Sequence, residues 1–173
     1  MKAHTLREIQ TSFKERCRSE PEAALIMLRA TGSLDPEGVA CSVDVGREIV
    51  EAGLHPATGG NGLHACSGDM LLQALVACAG VTLKAVATAL NVELISGEVL
   101  AEGEVDMRGT LGIDREAPVG FESIRLAFNL ESDAEPAILA KVLELTERYC
   151  VVYQSLTKGV EVSIDHQVRP VAP

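Results

Sequence analysis

Five thiols set the chemical options of this chain: Cys17, Cys41, Cys66, Cys78 and Cys150. A thiolate serves as nucleophile, metal ligand or redox partner, and its surroundings decide which. The count is odd, and the opening MKAHTLREIQ has no apolar signal region, so the cysteines do not read as a disulfide framework. No CxxC spacing occurs. Cys17 falls on the apolar stripe of a helix and Cys41 on the valine face of a strand, so both read as packing residues. Cys66 sits in a glycine-rich loop where a long helix begins. A helix N-terminus lowers a thiol pKa, which makes Cys66 a candidate nucleophile or resolving partner. His64, two residues earlier, is a candidate site-lining group. The pair lacks further ligands at recognised spacing, so no metal site is expected. Cys78 lies inside a very apolar helix and Cys150 follows an amphipathic one. For both, a small core residue is the alternative reading.

Other chemistries lack their signatures. There is no GxxxxGK[ST] phosphate loop, no Ser-His-Asp pattern and no HExxH. The 173 residues are 47% hydrophobic and 23% charged, with a formal net charge of −10. An acidic chain without a basic footprint is not expected to bind nucleic acid. Aromatic residues make up only 3%, so a core must rest on Leu, Val, Ile and Ala.

The elements that must position the thiols follow from periodicity. Residues 5–18 predict an amphipathic helix, with Leu6, Ile9, Phe13 and Cys17 on one face, Thr5 as its cap and Glu8 as capping-box partner. Residues 23–31 predict a strand, 32–38 a turn and 39–45 a second strand, together a hairpin. Residues 47–54 read as a further strand or edge segment. Gly59, Gly60 and Gly62 require a sharp turn or a close backbone approach. Residues 67–91 predict a long, almost wholly buried helix, with Ser67 as N-cap and Asp69 in its first turn. It is about long enough to span a membrane, but Gln73 and Lys84 interrupt it and no basic cluster flanks it, so no membrane span is expected. Strands follow over 92–107 and 121–130, with a turn-rich connection at 110–120. A helix starts near Pro136 with Ile138, Leu139, Val142, Leu145 and Tyr149 as its stripe. A short helix from Val151 and a strand over 159–168 close the chain. Strands come in runs rather than strict alternation with helices, so the class is α+β, in a single domain over residues 1–173. A helix that is apolar all round needs cover on every side, and a homodimer would supply it.

Two motifs carry a family resemblance. The first is the Gly-rich loop leading into Leu71-Leu72-Gln73-Ala74-Leu75-Val76-Ala77-Cys78-Ala79-Gly80-Val81-Thr82-Leu83. The second is Glu147-Arg148-Tyr149-Cys150-Val151-Val152, followed by Leu156. Together they resemble the family of osmotically inducible protein C and organic hydroperoxide resistance proteins, from about Ala24 to Val168. The resemblance implies an intertwined α+β homodimer, its two long central helices wrapped by curved antiparallel sheets. It implies a thiol peroxidase in which Cys78 attacks the peroxide and Cys150 condenses with the resulting sulfenic acid. An external dithiol then resets the pair, without a cofactor.

In the family's peroxidase branches an arginine of the first hairpin, oriented by a glutamate at the helix start, activates the first thiol. Here the glutamate position falls on Gly68, beside Asp69, and the arginine position near Leu34. Arg29, Arg47 and Arg148 are the substitutes for that cation, and Asp69 and His64 the neighbouring polar candidates. The proline that follows the family's second cysteine is replaced by Val151. Two functions are therefore expected in competition. One is a cytoplasmic, homodimeric peroxidase reducing organic hydroperoxides or hydrogen peroxide through Cys78 and Cys150. The other is a non-catalytic dimer whose pocket takes a small apolar ligand.

Overall fold

The computed structural model describes residues 2–20, 24–28, 30–34, 40–44 and 48–168. Its elements run α1 (Ala3–Ser19), β1 (Thr31–Leu34), β2 (Ala40–Asp44), β3 (Ile49–Gly53), β4 (Ala65–Cys66), α2 (Ser67–Ala89), β5 (Ser96–Val105), α3 (Met107–Thr110), β6 (Phe121–Glu131), α4 (Pro136–Tyr149) and α5 (Val151–Lys158). Strands β1 to β4 form one sheet in sequence order, antiparallel except for the parallel β3–β4 pair. Strands β5 and β6 form a separate antiparallel pair with an irregularity at Glu104/Val105. This is the expected α+β class.

The 23-residue helix α2 is the spine. Its buried residues are Leu75, Ala79, Leu83 and Ala87, four apart and so on one line down the helix. Leu83 and Ala87 meet Val142 of α4, and Phe128 and Leu130 of β6 close over them. Val142 and Ala79 are fully buried. Gly80 faces β5, where a Cβ would sit in ordinary contact 3.8 Å from Val99 Cγ2. The expected all-round burial is not found in this chain: Val81, off the buried line, is exposed, and so is Leu71 at the line's N-terminal end. Among the described residues α2 is the one helix long and apolar enough to cross a membrane, and here it packs against β5, α4 and α5.

Several boundaries differ from the sequence expectation. Helix α1 starts at Ala3 with Lys2 as its cap, so Thr5 lies inside it and bonds the His4 ring at 3.3 Å instead of closing a capping box. Its Ile9 and Phe13 remain exposed. The first hairpin strand sits at Thr31–Leu34, later than the apolar run Leu25–Leu28 suggests. That run carries no strand pairing and is exposed. Cys66, not Ser67, caps α2. In α4 the inner line is Val142 and Thr146, while Ile138 and Tyr149 turn outward. Residues 159–168 carry no strand pairing. The glycine turn is as expected: Gly59 and Gly62 have φ of 96° and 74°, and a Cβ on Gly60 would run into the Leu54 carbonyl.

The buried line of α2 makes a measurable claim. Leu83→Ala removes a residue that is 3% exposed from the centre of the cluster. It should lower unfolding free energy by about 2–5 kcal/mol in urea titration. A loss under about 1 kcal/mol would show that this line is not the core.

Candidate functional site

The chain passes from one helix to the next at Cys150. This residue is at once the C-cap of α4 and the N-cap of α5, with φ −73° and ψ 108°. Its N–H closes α4 on the Thr146 carbonyl at 2.9 Å, and its carbonyl starts α5 by accepting from Gln154 N–H at 2.9 Å. The Gln154 side chain donates to the Glu147 carbonyl at 2.7 Å and holds the junction from outside. The first amides of a helix have no partner within it. Those of α5 point at sulfur.

Cys78, in the middle of α2, lies opposite this junction. The groups that act on its sulfur are the Val151 and Val152 N–H groups, the Cys150 thiol and the Thr82 hydroxyl one turn further along α2. The Cys150 sulfur meets the N–H groups of Val152 and Tyr153. One helix start therefore serves both sulfurs, and the two thiols face each other. Cys78 is half-buried, whereas Cys150 is 1% exposed.

This arrangement separates the two acidities. Burial pushes the Cys78 thiol up. The Val152 N–H, the Cys150 thiol, the Val151 N–H and the Thr82 hydroxyl outweigh it, so Cys78 ends below its ordinary value. For Cys150, burial also pushes up, and the Tyr153 and Val152 N–H groups oppose it. Proximity to Cys78 raises it further, both as a hydrogen-bond partner and as a charge, and Cys150 ends above its ordinary value. The pair thus titrates as a unit in which Cys78 ionises first and Cys150 keeps its proton. A thiolate beside a thiol is the starting state for nucleophilic attack followed by disulfide formation.

Of the other residues singled out from the sequence, the described ones lie elsewhere. Arg29 and Arg47 fall outside the described residues. Arg148 is exposed and stacks on the Tyr149 ring, 5.5 Å from its centroid. Asp69 is exposed in the first turn of α2, nine residues before Cys78, or about 13 Å along the axis. His64 turns its Nδ1 toward Glu51 Oε2 at 3.5 Å. Cys66 lines a separate small cleft with Leu54 and Phe121. Among the described residues no group of three or more His, Cys, Asp and Glu is placed to hold a metal ion. Of the groups that act on Cys78, the sequence reading named Cys150 and missed the Val151 and Val152 amides and Thr82. Thr82 stands four residues after Cys78 in the quoted motif, which was its signal. Val151 had a signal too, since a proline there would have no N–H to give.

The family profile for OsmC-like proteins matches residues 59–165, which span both cysteines. The chain belongs to the OsmC-like family. Solved structures agree in fold. An OsmC-like protein from Mycoplasma pneumoniae superposes with a TM-score of 0.63 at 16% identity, covering 78% of this chain and 89% of that one. An organic hydroperoxide resistance protein from Elizabethkingia anophelis gives 0.59 at 18%, covering 78% and 90%. The organic hydroperoxide resistance protein OhrB of Bacillus subtilis gives 0.53 at 18%, covering 78% and 92%. At these identities the likeness is one of fold. No curated protein sequence matches the chain significantly.

Val151 offers a direct test of the amide arrangement. Its side chain is 66% exposed, and proline is well tolerated at the first position of a helix. Val151→Pro therefore removes one N–H from Cys78 with little loss of packing. The thiolate is the form that alkylates, so a higher pKa moves the alkylation profile to higher pH. The Cys78 profile, read by peptide mass mapping with iodoacetamide, should lie below that of an ordinary thiol in the native chain. In the variant it should move to higher pH. An unmoved profile would show that the Val151 amide does not act on the sulfur.

Proposed function

We propose that this OsmC-like chain is a two-cysteine thiol peroxidase, soluble and cytoplasmic. The observation that carries the reading is the pairing of the Cys78 and Cys150 sulfurs across the start of α5. The Cys78 thiolate attacks the terminal peroxide oxygen. The O–O bond breaks, Cys78 becomes a sulfenic acid, and the alkoxide leaves as alcohol after taking a proton. The Cys150 thiol then condenses with the sulfenic acid, giving the disulfide and water. Two electrons from an external dithiol return both cysteines to thiols by exchange. The Val151 and Val152 amides hold negative charge at Cys78 before the attack. Burial of Cys150 keeps the second thiol from reacting with peroxide on its own.

An organic hydroperoxide suits the surroundings better than hydrogen peroxide. A cleft of about 590 Å³ is lined by neighbours of the pair in sequence, Leu75 and Tyr153, with Phe121, Phe128, Leu143 and Leu156, and also by Arg125 and Glu147. Leu75 is one helical turn before Cys78, and the Tyr153 amide meets Cys150. An alkyl chain seated there would have its terminal group near the sulfur. The same cleft supports the second reading, a non-catalytic binder of a small apolar ligand.

A homodimer completes the proposal. The exposed face of α2 at Leu71 and Val81, the apolar run Leu25–Leu28 and the alternating Val160, Val162 and Ile164 are surfaces a second copy would cover. Residues 25–28 and 159–168 carry no strand pairing of their own.

Peroxide consumption with a dithiol reductant tests the catalytic reading. The native protein should turn over an alkyl hydroperoxide faster than hydrogen peroxide. Cys78→Ser should fall to the background rate. Cys150→Ser should stop after one turnover, with a sulfenic acid on Cys78 that dimedone traps. A native protein that consumes no peroxide and keeps all its thiols, yet binds an apolar probe in the cleft, would select the second reading. Light scattering on the eluting protein should give the mass of two chains, and a monomer mass would remove the dimer from the proposal.

A further inference from the structure

Far from the thiol pair, the start of α1 meets the end of α2 in a cleft of about 630 Å³. Its walls carry Lys2, His4, Arg7 and Lys84, with Glu93 as the one carboxylate. In a chain with a net charge of −10, three permanent cations and an imidazole around one cavity are a local reversal of sign. None of the four belongs to an ion pair with a carboxylate among the described residues. Lys84 follows Cys78 by six residues, about 9 Å along the helix axis.

The plain explanation would be that these cations complement the negative end of α2. That end is already closed. Leu90 N–H bonds the Val86 carbonyl at 3.0 Å, Asn91 N–H the Thr88 carbonyl at 3.1 Å and Val92 N–H the Ala87 carbonyl at 2.8 Å. The Ala89 carbonyl takes one N–H from Arg7 at 3.4 Å. A single donor of Arg7 is thus all that α2 uses, and that bond fixes the guanidinium at the wall. Among the described residues the two lysines and the remaining Arg7 donors have no acceptor beyond the Ala89 carbonyl. The α1 side adds to the field. Lys2 caps the helix with no side-chain acceptor, and the first turn holds no acidic residue.

We propose that this cleft binds a small phosphate monoester, its dianion held by Lys2, Arg7 and Lys84. The planar guanidinium grips two phosphate oxygens while the ammonium groups supply point charge. Thr88, Asn91 and Glu93 line the same cavity and face the esterified part, where they suit hydroxyl groups. The site shares no residue with the thiol pair and stands or falls apart from the peroxidase reading.

The test is a titration of the full chain with inorganic phosphate and with glucose 6-phosphate, against potassium chloride at matched ionic strength. Backbone amide shifts in the NMR spectrum are the readout. Saturable shifts should appear over residues 3–7 and 84–94, with the sugar phosphate binding more tightly than phosphate. Arg7→Ala and Lys84→Ala should each weaken binding about tenfold. Both residues are exposed, so the variants should fold, and unchanged alkylation of Cys78 will confirm it. Equal shifts with chloride, shifts elsewhere in the chain, or affinities unmoved in both variants would each overturn the proposal.

Discussion

Everything at the candidate site depends on how closely α2 can approach α4 and α5. The contact line is Leu75, Ala79, Leu83 and Ala87, in which every second residue is an alanine. Alanines at that spacing let a neighbouring backbone come near, while the leucines fill the space between. Cys78 is next to Ala79, so its sulfur inherits the same short separation. Larger residues on this line would move the helices apart, and sulfur-to-amide bonds do not tolerate such a gap. Packing is thus what sets the chemistry, through distance.

The means of stabilising charge at Cys78 follows from this closeness. An arginine brings a full charge but must be desolvated and held by a partner of its own. Backbone amides carry no net charge, are fixed by the helix they begin, and need no counter-ion. Thr82 adds a hydroxyl from the same helix as the thiol. The two sulfurs compete for one set of donors, and the geometry resolves the competition. Cys78, with the larger number of donors, takes the charge, and Cys150, almost fully enclosed, keeps its proton.

Much of this was legible in the sequence, for reasons that differ by element. The α2 and α4 helices announce themselves because their apolar residues repeat at helical spacing. The two cysteine motifs point to each other because each sits in a distinctive context. The pull of backbone amides on Cys78 was not legible, because a backbone amide leaves no residue type behind. Only the absence of proline at position 151 hinted at it. The apolar run Leu25–Leu28 reads as a strand by residue type, yet a strand also needs an edge to pair with, and this chain assigns it none. The caps slipped by one to three residues at Cys66 and Lys2, because Ser67 and Thr5 are better capping residues than the ones the backbone uses. The exposed side of α2 could not be told from its buried side by hydropathy, since Val81 is as apolar as Leu75 and Leu83.

The outward turn of the Val151 side chain has an evolutionary consequence. A residue whose side chain packs against little is free to change without penalty to the fold. At this position the change that matters is whether the residue has an amide hydrogen. Drift between proline and any other residue at 151 would therefore act as a dial on thiol acidity, set independently of stability. Descendants of one scaffold could occupy different redox niches by a substitution that leaves the core untouched.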